Sequence, residues 1–263
     1  MLCHSRATDL SSPSSYHWYM TPSQIPDVIV QARPLTSEGS AILIGFPGSG
    51  LVGSIALAYM VDKLGFESIG TMTSKYFPPM AMMSEGVIAV PVRIYEKDKF
   101  VAILADIPIH PQICYEVSNA ILDWVAPFKV SEVVTLAGII TNEPEKRVFS
   151  VATEKALLDR LGDSAIRLPI GSISGIASSI LTECKIRGIP GIGLLGETIN
   201  APDPRAAAKT VEVLNMLYDL QIETSGLIEQ AEEIEAQMHR LAEDVQTAEE
   251  QPVRKEPQLP MYG

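Results

Sequence analysis

Basic residues are in short supply in this 263-residue chain, with 20 Lys and Arg against 32 Asp and Glu and a formal charge of −12. Phosphate backbones are held by Lys and Arg clustered on one face, so no nucleic-acid partner is expected and a basic or mixed protein surface suits the chain better. Cysteine is equally sparse. Cys3, Cys114 and Cys184 form no close-spaced metal pair, and the last two fall in apolar periodic segments, where buried thiols in a reducing cytoplasm are the expectation. Three of the four histidines, His4, His17 and His239, lie in the terminal regions, so no metal cluster can be drawn around His110. The chain has no Gly-Lys-Ser or Gly-Lys-Thr, which argues against ATP hydrolysis, and no Gly-x-Ser-x-Gly elbow, which removes the parts of hydrolase chemistry. Residues 1–20 lack the continuous apolar stretch of a signal peptide, and no run elsewhere is long and apolar enough to span a bilayer. A cytoplasmic protein with no membrane partner and no cofactor is expected.

What is present is apolar mass, 46% of residues, enough for one large α/β domain plus an appendage. Residues 1–23 lack periodicity and read as a disordered or extraneous segment. Short β-branched runs at 28–31, 41–45, 68–72, 87–95, 100–105, 133–137 and 191–195 predict strands. They alternate with helical patterns at 51–64, 112–126, 152–161 and 175–187. The core domain is therefore placed at 24–204, a sheet with helices on both faces. The polar link Glu96-Lys97-Asp98-Lys99 is short enough for a hairpin, so the sheet should be mixed.

After Pro204 the texture changes. Leu217, Leu220, Thr224, Leu227, Ala231, Ile234, Met238, Leu241 and Val245 are spaced alternately by three and four, a heptad seam on a predicted helix over 205–247. Such a helix would run ~60 Å. No later element exists to cover the stripe, so Leu227, Ala231, Ile234, Met238, Leu241 and Val245 are candidates for self-association into a homo-oligomer; packing within the chain is the other reading. Acidic residues crowd the region after 228, giving either a solvated face or steering toward a partner. Residues 248–263 form a tail with Pro252, Pro257 and Pro260 before Met261-Tyr262-Gly263. An aliphatic side chain, a tyrosine and a terminal carboxylate make a compact docking plug; a frayed end without a role is the alternative.

Gly48, Gly50 and Gly53 satisfy the Gly-x-Gly-x-x-Gly spacing between a strand and a helix. A pyrophosphate at a helix N-terminus would need such glycines, and so would a sharp turn with close helix packing. Asp106 and His110 follow a strand, and Glu197 follows a glycine-rich one, positions where α/β enzymes place acids and bases; a cap and turn role explains them equally. Ser172-Ile173-Ser174-Gly175 reads as an N-cap of the helix that follows.

Three segments in order carry a resemblance: Ile44-Gly45-Phe46-Pro47-Gly48-Ser49-Gly50-Leu51-Val52-Gly53, Ser174-Gly175-Ile176-Ala177, and Arg187-Gly188-Ile189-Pro190-Gly191-Ile192-Gly193-Leu194-Leu195-Gly196-Glu197-Thr198. Over about residues 24–245 the chain resembles the archaeal branch of the proteasome assembly chaperone 2 family. The resemblance implies an α/β fold like that of purine nucleoside phosphorylases in a protein that binds partners rather than catalysing a reaction. It also implies that a hydrophobic-Tyr-X end, here Met261, Tyr262 and Gly263, enters pockets between neighbouring α subunits of the proteasome core particle. There a pocket lysine would pair with the carboxylate, and the tyrosine would help shift the gating turn. The expected function is an ATP-independent assembly chaperone or activator. The alternatives are a nucleotide- or nucleoside-binding enzyme using the Gly48 to Gly53 loop, and an oligomeric adaptor for another partner.

Overall fold

Strands covered on both faces should read as continuous apolar runs, and the middle of this sheet is built from such runs. The computed structural model describes residues 26–232 except 85, 142, 144 and 200. In chain order the strands are β1 (Val28–Ala32), β2 (Ala41–Gly45), β3 (Glu67–Ser74), β4 (Met82–Ser84), β5 (Val87–Ala89), β6 (Val92–Lys97), β7 (Phe100–Ala105), β8 (Glu132–Ile140), β9 (Val148–Ala152), β10 (Ile166–Arg167) and β11 (Gly191–Thr198). The helices are α1 (Val52–Leu64), α2 (Cys114–Val125), α3 (Lys155–Leu161), α4 (Ile176–Arg187) and α5 (Pro204–Tyr218).

Nine strands form one sheet in the order β1-β3-β6-β7-β2-β8-β11-β9-β10, while β4 and β5 make a separate hairpin. The centre, β7-β2-β8-β11, is parallel, and every residue of β2 and β11 is buried. The flanks are antiparallel, apart from the parallel edge pair β9-β10, so the mixed α/β sheet is as expected. Side-chain alternation sorts β2 between two layers. Ile42 and Ile44 pack with Val117 and Ile121 of α2 and Ile180 of α4. Leu43 packs with Leu57 of α1 and Val211 and Leu214 of α5 on the other face. Cys114 and Cys184 are buried free thiols; burial pushes both up, Cys184 to about 12, well away from the thiolate that reacts.

Local chemistry explains where the elements stop. The β6–β7 hairpin turns at Asp98, whose φ of 50° is a left-handed conformation that Asp tolerates. The strand expected over 87–95 is interrupted after Ala89, and Pro91, lacking an N–H, sits in the gap before β6. β9 and β10 were not expected. They lie at the sheet edge beside β11, and the helix predicted from 152 begins only at Lys155.

The continuous helix predicted over 205–247 does not form. α5 ends at Tyr218, where Asp219 takes φ 54° and the Asn215 side chain caps the turn twice, donating to the Ile222 carbonyl at 2.8 Å and accepting from its amide at 3.1 Å. A second helical segment, 225–232, then packs against the domain. The Tyr59 hydroxyl donates to the Glu223 carbonyl at 2.8 Å, fixing that segment beside α1. Leu227 and Ala231, expected to mediate self-association, are 1% and 3% exposed within their own chain. The physical reason is the reversal at Asp219, which turns the first part of the seam onto the α1/α5 layer. Ile234, Met238, Leu241 and Val245 lie outside the described residues, as do Met261, Tyr262 and Gly263.

Candidate functional site

The glycine loop leaves the end of β2, makes a short 3-10 turn over Ser49–Leu51 and enters α1. Its glycines are not equivalent. Gly50 has φ 61°, and an added Cβ would stand 2.0 Å from Thr198 Oγ1. A Cβ on Gly53 would stand 2.0 Å from the Leu136 carbonyl oxygen in β8. The space that a cofactor would need at Gly50 is thus taken by Thr198, and Gly53 serves the contact of α1 with the sheet. Gly48 alone of the three has nothing within 4 Å of its missing Cβ. The dinucleotide reading of the spacing fails on Gly50, where close backbone approach is to the protein itself.

A buried ionic network holds the far side of this loop. Glu197, fully buried at the end of β11, accepts from Arg147 Nε at 2.7 Å and Nη2 at 2.8 Å, and from the Arg147 amide at 3.1 Å. The guanidinium hydrogen bond outweighs burial and holds the carboxyl below its usual range. A carboxylate so engaged stays ionised at neutral pH and has no proton to give as a general acid. Asp203 accepts from Ala206 N at 3.0 Å as the N-cap of α5, pairs with Lys146 at 2.8 Å, and accepts from Thr198 Oγ1 at 3.0 Å. Burial pulls this carboxyl upward, but Lys146, Ala206 and Thr198 together bring it below the usual value. The Asp203 amide in turn donates to the Gly50 carbonyl at 2.9 Å.

Because both carboxyls titrate lower in the folded chain than in the unfolded one, their stabilisation is complete above the unfolded values of about 4 and is lost as pH falls through the folded ones. The thermal midpoint is expected to drop on acidification below about pH 4.5. Asp203→Asn should flatten that acid limb; a limb of unchanged steepness would show that the network carries none of it.

The other two candidate acid–base residues are likewise occupied. Both Asp106 oxygens are taken by Arg93, at 2.7 and 2.9 Å, and exposed His110 accepts the Gln112 amide on Nδ1 at 3.3 Å as a cap. Neither these residues nor Glu197 lines the cavity described next.

Outside the carboxyl ends of β2, β8 and β11, where open α/β sheets bind ligands, lies a cavity of about 410 Å³. Ile44, Phe46, Ile109, Ile180 and Leu195 contribute to its apolar wall, and Gly48, Thr135, Gly175 to Ala177 and the serines Ser49, Ser172 and Ser174 also line it. The described residues that line it include no Asp, Glu, His, Lys, Arg or Cys, so it can enclose a small molecule but offers no acid, base or nucleophilic thiol to transform it. The serine N-cap expected before α4 does not form. Gly175 occupies that place at φ 77°, with no side chain capping the helix. The sequence reading missed Thr135, an ordinary-looking strand threonine. Among the described residues no group of His, Cys, Asp and Glu could hold a metal ion, and no helix is long and apolar enough to cross a membrane.

A second unexpected feature is the β4–β5 hairpin. Met83, Val87 and Ile88 are 75%, 69% and 69% exposed, with Tyr76 and Met80 exposed nearby. Isolated exposed apolar residues are ordinary, but here they cluster on and beside one hairpin.

Comparison with known proteins places these features in a lineage. A model of the PAC2 family matches residues 42–242. An uncharacterized protein of Methanocaldococcus jannaschii is 31% identical over 215 residues, 81% of this chain and 90% of that protein. The crystal structure of Pyrococcus furiosus PbaA, an archaeal homolog of proteasome-assembly chaperone, superposes with a TM-score of 0.78 at 32% identity, covering 85% of this chain and 94% of that one. Pyrococcus furiosus PbaB, an archaeal proteasome activator, shares the fold with a TM-score of 0.74 at 23% identity, covering 83% of this chain and all of that one. With a family model that matches residues 42–242, from β2 through the glycine loop to beyond α5, this chain belongs to the PAC2 family.

Proposed function

We propose that the protein is an ATP-independent proteasome assembly chaperone or activator, acting in the cytoplasm, that docks Met261, Tyr262 and Gly263 into inter-subunit pockets of the proteasome α ring. The observation that carries this is the likeness to PbaA along nearly its whole length, joined to a hydrophobic-Tyr-X motif at residues 261–263. The α/β domain is the scaffold and the tail is the effector. A nucleotide-directed enzyme gains no support from the cavity, whose lining carries neither a cation for phosphates nor an acid–base residue. The test is binding to purified proteasome core particles. The intact chain should co-sediment with them and a chain lacking residues 261–263 should not; equal binding would overturn the docking reading.

One tail offers a small contact, so useful affinity calls for several tails on one particle and hence for a homo-oligomer. Ile234, Met238, Leu241 and Val245 remain proposed for that association. The exposed β4–β5 hairpin is a second surface suited to another copy of the chain, since its methionines and branched side chains are otherwise left in water. Ile88→Asp combined with Met83→Asp should lower the mass measured by sedimentation while leaving the circular dichroism spectrum unchanged; an unaltered mass would remove the hairpin from the interface.

A further inference from the structure

The cavity between the β2 end and α4 carries two unmet polar requirements. The first is the start of α4. Its first turn includes no acidic residue, and no side chain caps it. The opening amides of a helix have no partner within the helix and carry a partial positive charge, and here Gly175, Ile176 and Ala177 line the cavity wall. The second is Thr135. Its residue is 1% exposed, its Oγ1 has no hydrogen-bond partner, and it lines the same cavity. The neighbours in register on the flanking strands, Ile44 and Gly193, have no side chain able to satisfy it. A buried hydroxyl without a partner is destabilising, and a ligand polar atom would satisfy it.

The remaining wall selects the rest of the ligand. Ile44, Phe46, Ile109, Ile180 and Leu195 present branched and aromatic surface, and 410 Å³ is within the range of small-molecule sites. With no Lys or Arg in the lining, a phosphate dianion or a nucleotide would be poorly compensated. A single carboxylate matches the fractional charge of one helix N-terminus.

We propose that this cavity is a binding site for a small monocarboxylate with a branched-aliphatic or aromatic body. The carboxylate lies at the amide end of α4, the Thr135 hydroxyl bonds a ligand polar atom, and the body fills the apolar wall. Occupancy of this site can be measured with no proteasome present.

The experiment is calorimetric titration of the full chain at pH 7 and low ionic strength with phenylacetate and 3-methylbutanoate, using benzyl alcohol and inorganic phosphate as comparators. Both carboxylates should saturate at millimolar concentration or below, the alcohol should bind at least about tenfold more weakly, and phosphate should not saturate. Thr135→Val should weaken carboxylate binding about tenfold, the effect of one lost hydrogen bond. Ala177→Leu, which fills the cavity from the half-buried first turn of α4, should abolish it and decides the matter if the Thr135 variant does not fold. Failure of both carboxylates to saturate, tighter binding of phosphate, or equal carboxylate binding by the wild type and Ala177→Leu would overturn the proposal. None of these readouts involves the proteasome, so failure here leaves the docking reading standing, and the reverse also holds.

Discussion

Gly53→Ala is expected to leave the chain largely unfolded. The added methyl would lie 2.0 Å from the Leu136 carbonyl oxygen and 2.7 Å from its carbon, far inside van der Waals contact. Nothing flexible is available to yield, because the obstacle is backbone in β8. Leu136 is held in register between Gly45 of β2 and Leu194 of β11, so moving it breaks the parallel centre of the sheet, and moving α1 instead uncovers Leu57 and Met60. Overpacking of a core costs about 1–3 kcal/mol and more where the backbone must shift. A loss at or above the top of that range takes a large part of the 5–15 kcal/mol typical of a folded domain. Gly48→Ala is the matched control. It has open space around the missing Cβ and an extended backbone at φ −158°, which any residue adopts, so its unfolding midpoint in urea should match or slightly exceed that of the wild type. Similar midpoints for the two variants would show that the third glycine of the loop is not a packing device.

This contrast explains what the sequence could and could not reveal. The loop's position between a strand and a helix was legible, because Ala41–Gly45 is a continuous apolar run and the pattern after Leu51 is helical. Its role was not, since identical spacing serves a ligand or the protein's own sheet, and only the approach of Thr198 and Leu136 distinguishes them. The parallel strands β2, β7, β8 and β11 were visible because burial on both faces forces β-branched runs. β9 was not: it is short and alternates Val148 and Ser150 inward, and its partners in β11 lie about forty to fifty residues away in the chain. The end of α5 carries neither Gly nor Pro. It depends on Asn215 holding Ile222 and on Asp219 entering the left-handed region, while the three–four spacing of apolar residues runs on undisturbed. Periodicity marked Leu227 and Ala231 as an uncovered stripe for self-association, whereas both are buried within their own chain, Leu227 in the α1/α5 layer. Thr135 was invisible for a related reason: a threonine in a strand is unremarkable until the absence of a partner for its hydroxyl is known.

Adding a single alanine after Gly263 should abolish binding to proteasome core particles nearly as completely as deleting residues 261–263. The extension leaves Met261 and Tyr262 in place and moves only the carboxylate, by one residue or about 3.5 Å. In the proposed pocket that group pairs with a lysine, and a hydrogen bond to a charged partner contributes about 1.5–3 kcal/mol, so displacing it weakens each tail by roughly 10- to 150-fold. In an oligomer the loss is repeated at every engaged pocket. Avidity, which multiplies weak sites into useful affinity, then multiplies the damage as well. A tail acting through apolar contact alone would behave differently: the extended chain would retain most of its binding, and Tyr262→Ala would remove it. Comparing the extended chain, the truncated chain and Tyr262→Ala by sedimentation with core particles therefore separates a carboxylate-dependent plug from a merely sticky end. Retained binding by the extended chain would exclude the carboxylate pairing even if truncation remained severe.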